Sequence, residues 1–313
     1  MYLPPGTIVD DRYEVLSQLG VGGFGAVYSA KQTNLDRIVA LKIIHEHEGF
    51  NEDGLARFEL EAQTLSKLRH KNLALFYGYG VWNDAPYMVL EFVRGKSLQS
   101  VIDQEKRLKE SRAIQIVKQV CDALACIHSN GIVHRDLKPA NIMLVPNDDG
   151  TEVVKLIDFG LAKVIPGLGA RMQQLTEAGS TVGSAEYMSP EQCMGQPLDG
   201  RCDIYALACT LQACLTGTAP FQGEHSVVVM QKHMYDEPPQ LHDFLEPGSY
   251  SENMQLILNQ SLAKNAKDRY ESAEEMRADL SKLSGHDTSK LKASAAGIPS
   301  ALNLAFGVRN KFN

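Results

Sequence analysis

His134-Arg135-Asp136-Leu137-Lys138-Pro139-Ala140-Asn141 is a run of eight residues, six of them polar, charged or proline. It follows a helix stop at Gly131 and the pair Ile132-Val133, and Ile142-Met143-Leu144-Val145 re-enter apolar structure directly after it. A polar loop bounded in this way is held between core elements. Downstream, Lys155-Leu156-Ile157-Asp158-Phe159-Gly160 puts a carboxylate at the end of an apolar strand, beside a glycine. Asp136, Asn141 and Asp158 are oxygen donors, and a carboxylate among them is a candidate base. Such a set suits Mg²⁺, which takes few carboxylates and keeps waters and substrate phosphates as its other ligands.

Upstream lies Gly20-Val21-Gly22-Gly23-Phe24-Gly25-Ala26-Val27. Glycines at these spacings let backbone N–H groups approach an anion. Alone, the pattern is equally that of a structural glycine turn. A dinucleotide-binding reading needs a helix after the turn, whereas here a second strand, GAVYSAKQ, follows. That context favours a hairpin that lids a nucleotide. Lys42 sits among Val39, Ala40 and Leu41, where a buried amine needs a partner; an edge-strand lysine reaching solvent is the bland alternative. Glu61 lies three residues after Phe58 and four before Leu65. It shares their helix face and is a candidate partner for Lys42, or else half of a surface ion pair.

Hydrophobic periodicity predicts strands across 12–44, a helix over 52–69, strands at 73–81 and 86–93, and a helix over 111–130. Residues 132–165 read as short strands and loops, and helices dominate from 188 onward. A β-rich first quarter before a helical remainder predicts an α+β protein of two lobes, with a boundary near 93–97.

The chain has 313 residues, 44% apolar and 22% charged, and a net charge of −7. This is ordinary globular composition, and the negative balance argues against a nucleic-acid binder, which needs clustered Lys and Arg. Six cysteines, at 121, 126, 193, 202, 209 and 214, form no C-x-x-C pair and read as reduced, buried apolar residues. The N-terminus lacks a basic region ahead of an apolar stretch, so no signal peptide is expected. The uncharged run Ile204–Gly223 is interrupted by Gln212, Gly217 and Pro220; it reads as a buried helix and a turn rather than a membrane span. Residues 285–313 carry one Asp against four Lys or Arg, with Pro299 inside, and read as a linker or tail.

Taken in order, GVGGFGAV, VALK, Glu61, HRDLKPAN, DFG and Ser189-Pro190-Glu191 resemble the eukaryotic-type Ser/Thr protein kinase family, in a bacterial-like form. The resemblance covers about residues 12–283. It implies the two-lobed kinase fold, with a domain over 12–284: an N-lobe of about 12–93 and a C-lobe of about 97–284. It also implies ATP and Mg²⁺ as cofactors.

By the family pattern, Gly20, Val21, Gly22, Gly23, Phe24, Gly25 and Val27 would cover ATP, and Lys42 would bind its α- and β-phosphates, held by Glu61. Asp158 and Asn141 would hold Mg²⁺. Asp136 would orient the substrate hydroxyl and accept its proton, while Lys138 would balance charge on the γ-phosphate. Leu90 would back the adenine pocket, Glu91 to Val93 would form the hinge, and Ala40 and Met143 would sandwich the ring. Asp203 resembles the family's buried helix aspartate, and Arg269 the partner of Glu191. Arg135 would pair with a phosphate on the activation loop, where Thr176, Ser180 and Thr181 are the candidate phosphosites.

The resemblance implies protein substrates phosphorylated on serine or threonine, with autophosphorylation through a kinase–kinase dimer. It gives no nucleic-acid partner and no membrane segment in this chain. The expected location is the cytoplasm, as a free enzyme or as the cytosolic domain of a longer receptor kinase. Departures are Ser184 for the usual Thr, Ala185 for Pro, Ala208 for Gly, and Ala140 where basophilic kinases often carry an acid; none removes a catalytic group. The competing readings are a pseudokinase scaffold and a small-molecule phosphotransferase. The first normally loses one of Lys42, Asp136 and Asp158, and the second normally lacks the SPE segment.

Overall fold

The computed structural model describes residues 2–22, 25–44, 52–158 and 185–284; the side chains of 52–57, 61 and 284 lie outside that set. The first lobe is an antiparallel sheet in the order β1-β2-β3-β4-β6-β5. Its strands are β1 (Ile8–Val9), β2 (Tyr13–Gly22), β3 (Gly25–Gln32), β4 (Arg37–Ile44), β5 (Phe76–Trp82) and β6 (Ala85–Glu91). Strand β4 shows how the sequence gives each face its job, because successive side chains alternate. Val39, Leu41 and Ile43 join Tyr13, Tyr28, Tyr87 and Val89 in a core on the outer face. Ala40, Lys42 and Ile44 therefore face inward. Helix α1 (Glu52–Lys67) covers that inner side, and its Phe58, Ala62 and Leu65 share a core with Ile44, Met88 and Leu90.

Strand β1 lies ahead of any element expected from periodicity. A two-residue strand carries too little pattern to be read, yet Val9 is fully buried and Leu3 packs beneath Tyr28, whose hydroxyl accepts the Leu3 N–H at 3.2 Å.

The second lobe begins with β7 (Lys96–Ser97) and α2 (Leu98–Glu105), then α3 (Glu110–His128). A 3₁₀ turn, Pro139–Asn141, leads into β8 (Ile142–Pro146) and β9 (Glu152–Leu156), which form a small sheet with β7. After the undescribed stretch come α4 (Pro190–Cys193), α5 (Arg201–Thr216), α6 (Ser226–Tyr235), α7 (Glu252–Ser261) and α8 (Ala273–Ser284). Helix α5 is buried around almost its whole circumference, with α3 and α7 packed against it. This is the uncharged run near Ile204: a core helix, as its interruptions predict. It stops at Gly217, whose φ of 88° is left-handed and where a Cβ would lie 2.2 Å from the Lys106 carbonyl oxygen. Among the described residues no helix is long and apolar enough to cross a membrane. All six cysteines are unpaired and five are buried. The proposed tail, 285–313, lies outside the described residues.

The lobes are stitched beside the boundary. Leu156 N–H donates to the Asn72 carbonyl at 2.8 Å, and Ala74 N–H to the Leu156 carbonyl at 2.9 Å. The segment between α1 and β5 thus meets β9 in a single parallel bridge, Leu73 opposite Leu156. Because β9 leads straight to Asp158, the first lobe's connection and the second lobe's acidic residue share one framework.

Candidate active site

The loop from His134 to Asn141 is fastened from below by α5. Asp203, 1% exposed, accepts the His134 N–H at 2.8 Å through Oδ2 and the Arg135 N–H at 2.9 Å through Oδ1. His128 Nε2, from the end of α3, lies 2.8 Å from Oδ2. Burial alone raises the Asp203 carboxyl, but the His128 hydrogen bond, with the His134 N–H adding to it, outweighs burial and holds the group below its ordinary range. Arg135 sits at φ 64°, a region few non-glycine residues adopt.

On this base three predicted residues converge. Lys138 Nζ lies 3.0 Å from Asp136 Oδ2, and Asn141 Nδ2 donates to the same oxygen at 3.1 Å and to the Asp136 carbonyl at 2.7 Å. The 3₁₀ turn with Pro139 at its start folds the chain back so that positions 136, 138 and 141 meet. With its amide nitrogen committed to Asp136, Asn141 offers Oδ1 to a cation.

Asp158 follows β9 at φ 57°, and its Oδ1 is ion-paired with Lys42 Nζ across the cleft. Lys42 is buried, on the inward face set by β4. The partner the structure gives this lysine is therefore Asp158. The expected Lys42–Glu61 pair lies outside the described residues, since α1 places Glu61 in the helix but its side chain is not described.

The glycine stretch forms the β2–β3 hairpin, with Gly20 opposite Val27 and Gly22 opposite Gly25; Gly23 and Phe24 lie outside the described residues. The hairpin settles the first alternative, since a strand and not a helix follows the turn. The glycines divide into two kinds. A Cβ on Gly25 would lie 2.1 Å from the Ile43 carbonyl oxygen, so the sheet itself needs that glycine. A Cβ on Gly20 or Gly22 would meet nothing within 4 Å. Among the described residues nothing in the packing demands those two, which leaves room for an anion to approach the backbone.

Behind the hairpin, Ala40 stands opposite Leu90, and Lys42 opposite both Val27 and Met88. Met143, on β8, is half-buried, as are Val27 and Val93. The Glu91 N–H donates to the Leu75 carbonyl at 2.8 Å, so its carbonyl is the hinge group left for a ligand there. The Glu91 side chain accepts from Lys155 Nζ and from the Leu75 N–H, each at 3.0 Å.

Beyond the activation segment, Glu191 and Arg269 form a two-fold hydrogen-bonded ion pair at 2.7 and 2.8 Å. Arg269 also donates to the carbonyls of Ala263, Arg201 and Lys264. Burial opposes the Glu191 charge, and the Arg269 guanidinium more than offsets it, so the carboxyl stays below its ordinary range. Thr176, Ser180, Thr181 and Ser184 lie outside the described residues.

The residues missed in sequence are partners of those found. Lys155, which ties β9 to Glu91, and Gln192, whose Nε2 donates to the Arg135 carbonyl at 3.0 Å, carry no periodic or motif signal. Only the position of Gln192 directly after Ser-Pro-Glu hinted at a role. Among the described residues no group of three His, Cys, Asp or Glu side chains could hold a metal. Asn141 Oδ1 and the Asp158 carboxylate are oxygen donors of the kind Mg²⁺ takes, an ion that keeps most of its ligands as water and phosphate.

Comparison with known proteins identifies the family. The family described as the protein kinase domain matches residues 13–280. The chain is 37% identical over 276 residues to the serine/threonine-protein kinase pkn3 of Myxococcus xanthus, covering 88% of this chain and 50% of that protein. It is 36% identical to PknB of Mycobacterium tuberculosis, covering 87% and 43% respectively. The chain thus spans half or less of the length of these curated relatives. The crystal structure of the Mycobacterium tuberculosis PknI kinase domain superposes with a TM-score of 0.70 at 24% identity, over 90% of this chain and 99% of that one, a likeness of fold.

Proposed function

Because this chain belongs to the protein kinase domain family, with bacterial Ser/Thr kinases as relatives, we propose that it transfers the γ-phosphoryl group of ATP to serine and threonine hydroxyls of proteins, its own activation loop included. The observation that carries this reading is one convergence. Asp136, Lys138 and Asn141 hydrogen-bond to one another on the second lobe, and the Lys42–Asp158 pair joins both lobes beside them.

Each residue's part follows from its chemistry. Asp136 accepts a hydrogen bond from the substrate hydroxyl, orients it and takes its proton. Lys138 places a positive charge beside the acceptor, where the phosphoryl group arrives. Lys42 binds the α- and β-phosphates, and Asn141 and Asp158 would hold Mg²⁺. The bound Mg-ATP supplies the phosphoryl group and part of its charge neutralisation. Gly20, Val21, Gly22, Gly23, Phe24 and Gly25 with Val27 close over the phosphates, with Gly20 and Gly22 giving the clearance. Ala40, Leu90 and Met143 bound the adenine, and the Glu91 carbonyl and Val93 bond its edge. Glu61 holds Lys42 once the nucleotide draws the lysine from Asp158. Thr176, Ser180 and Thr181 are the proposed phosphosites, read by Arg135, and a kinase–kinase dimer brings one loop to the other's site.

The scaffold alternative normally comes with loss of Lys42, Asp136 or Asp158, and all three are present. The test is labelled ATP with purified protein, with Mg²⁺ or with chelator. Label on serine and threonine that needs Mg²⁺ and disappears in Asp158→Ala supports the proposal. Label only on tyrosine, or undiminished in Asp158→Ala, contradicts it.

A further inference from the structure

We propose that Gln192 is a positioning residue for Asp136, clamping the peptide from which the base projects. The proposal rests on the kinase reading above, which makes Asp136 the base. The peptide joining Arg135 to Asp136 is gripped at both polar ends. Its carbonyl accepts from Gln192 Nε2 at 3.0 Å, and its N–H, on Asp136, donates to His134 Nδ1 at 3.3 Å. Arg135 needs this grip, because its φ of 64° is left-handed and a side chain there is held only where its surroundings over-determine it. Asp203 secures the preceding amide. Gln192 secures the following carbonyl.

Gln192 is itself immobilised. Its Oε1 accepts the Ser189 N–H at 3.0 Å, and Ser189 Oγ accepts the Gln192 N–H at 3.4 Å, a reciprocal cap at the start of α4. The next residue back, Glu191, is locked to buried Arg269. The amide has one productive orientation, since turning it over sets oxygen against the Arg135 carbonyl and nitrogen against the Ser189 N–H. One side chain thus ties Ser189, at the start of α4, to the peptide that carries the base.

Gln192→Glu separates the two jobs. A carboxylate still accepts from Ser189 and keeps the cap, but it has no proton for the Arg135 carbonyl. Expected for this variant is a Tm near wild type and a KM for ATP within about two-fold, with kcat lower by about ten-fold or more, the range that misplacement of a reacting group produces. Its kcat relative to wild type should rise as the pH falls from about 8 toward 5.5, as the glutamate begins to protonate and regains a donor. Gln192→Met, which loses both bonds, should lower kcat with no such recovery and should lower Tm as well. A Gln192→Glu kcat within about two-fold of wild type at every pH, or a loss with no recovery at low pH, overturns the clamp. Wild type in the same peptide assay keeps the two readings apart: an inactive wild type sinks both, and an active one with an unaffected variant sinks only the clamp.

Discussion

Lys155 Nζ lies 3.0 Å from Glu91 Oε2, joining β9 of the second lobe to the last residue of β6 in the first. The same glutamate oxygen accepts the Leu75 N–H, and Lys155 also donates to the Leu73 carbonyl at 3.3 Å. Three segments therefore meet behind the hinge, on partly buried groups. Their relative placement sets the backbone edge proposed to meet adenine. Lys155→Met and Glu91→Gln, made singly and together, should show a coupling of about 1 kcal/mol in a double-mutant cycle on stability. Each single variant should raise the KM for ATP. Additive stabilities would mean the pair is not an energetic link.

The glycine hairpin makes a sharper distinction. Gly25→Ala drives a Cβ into the Ile43 carbonyl oxygen, 2.1 Å away, and should lower Tm markedly. Gly20→Ala and Gly22→Ala meet open space and should leave Tm near wild type while weakening ATP binding. Thermal melts with and without Mg-ATP check this. Equal Tm losses in all three variants, or undiminished ATP stabilisation in the Gly20 and Gly22 variants, would contradict the assignment.

Arg269 is fully buried against Glu191. Arg269→Met strands a buried carboxylate and should cost about 3–5 kcal/mol, the usual penalty for breaking such a pair from one side. Adding Glu191→Gln should recover part of that loss, measured by denaturant unfolding. No recovery would show that Arg269 acts mainly through the carbonyls of Ala263, Arg201 and Lys264.

His233, fully buried, takes a hydrogen bond between its Nδ1 and the Tyr205 hydroxyl at 2.9 Å and packs on Phe221. Burial, aided by the nearby Lys264 charge, pushes its pKa down to about 3 from an ordinary value of 6.5. The unfolded chain therefore binds a proton at His233 below about pH 6.5 while the folded chain does not. The stability from neutral His233 is fully present above that pH. It is lost as pH falls toward the folded value, at about 1.4 kcal/mol per pH unit for one proton. His134, also pushed down by burial, acts in the same direction. His233→Gln should flatten the fall in unfolding free energy between pH 6.5 and 5 by about one proton's worth. An unchanged slope would show that His233 is charged in the fold.

Most of the fold and of the candidate site was legible because the signals were local. Lys42 among Val39, Ala40 and Leu41 marked an amine that needs a partner if buried, though only the pairing of β4 turns it inward, and the polar island at His134–Asn141 between apolar runs marked a loop held by the core. What stayed hidden depends on residues far apart in sequence. Lys155 and Glu91 are 64 positions apart, and Gln192 and Arg135 are 57 apart. No periodicity pairs them; the layering of β9 against the first lobe and of α4 against the His134–Asn141 loop does. Asp158 as the lysine's partner is of the same kind, because Lys42 and Asp158, 116 positions apart, meet only once the two lobes come together.

The central claim is phosphoryl transfer with Asp136 as base, and intact-mass analysis tests it most directly. Phosphatase-treated wild-type protein and an Asp136→Asn variant of matched Tm would each be incubated with ATP and Mg²⁺ and weighed over time. Stepwise phosphate additions to wild type are expected, mapped to serine and threonine and led by Thr181 and Thr176 ahead of Ser180, with the variant unmodified. Equal phosphate addition to the Asp136→Asn variant, or none to wild type with Mg-ATP demonstrably bound, would contradict it.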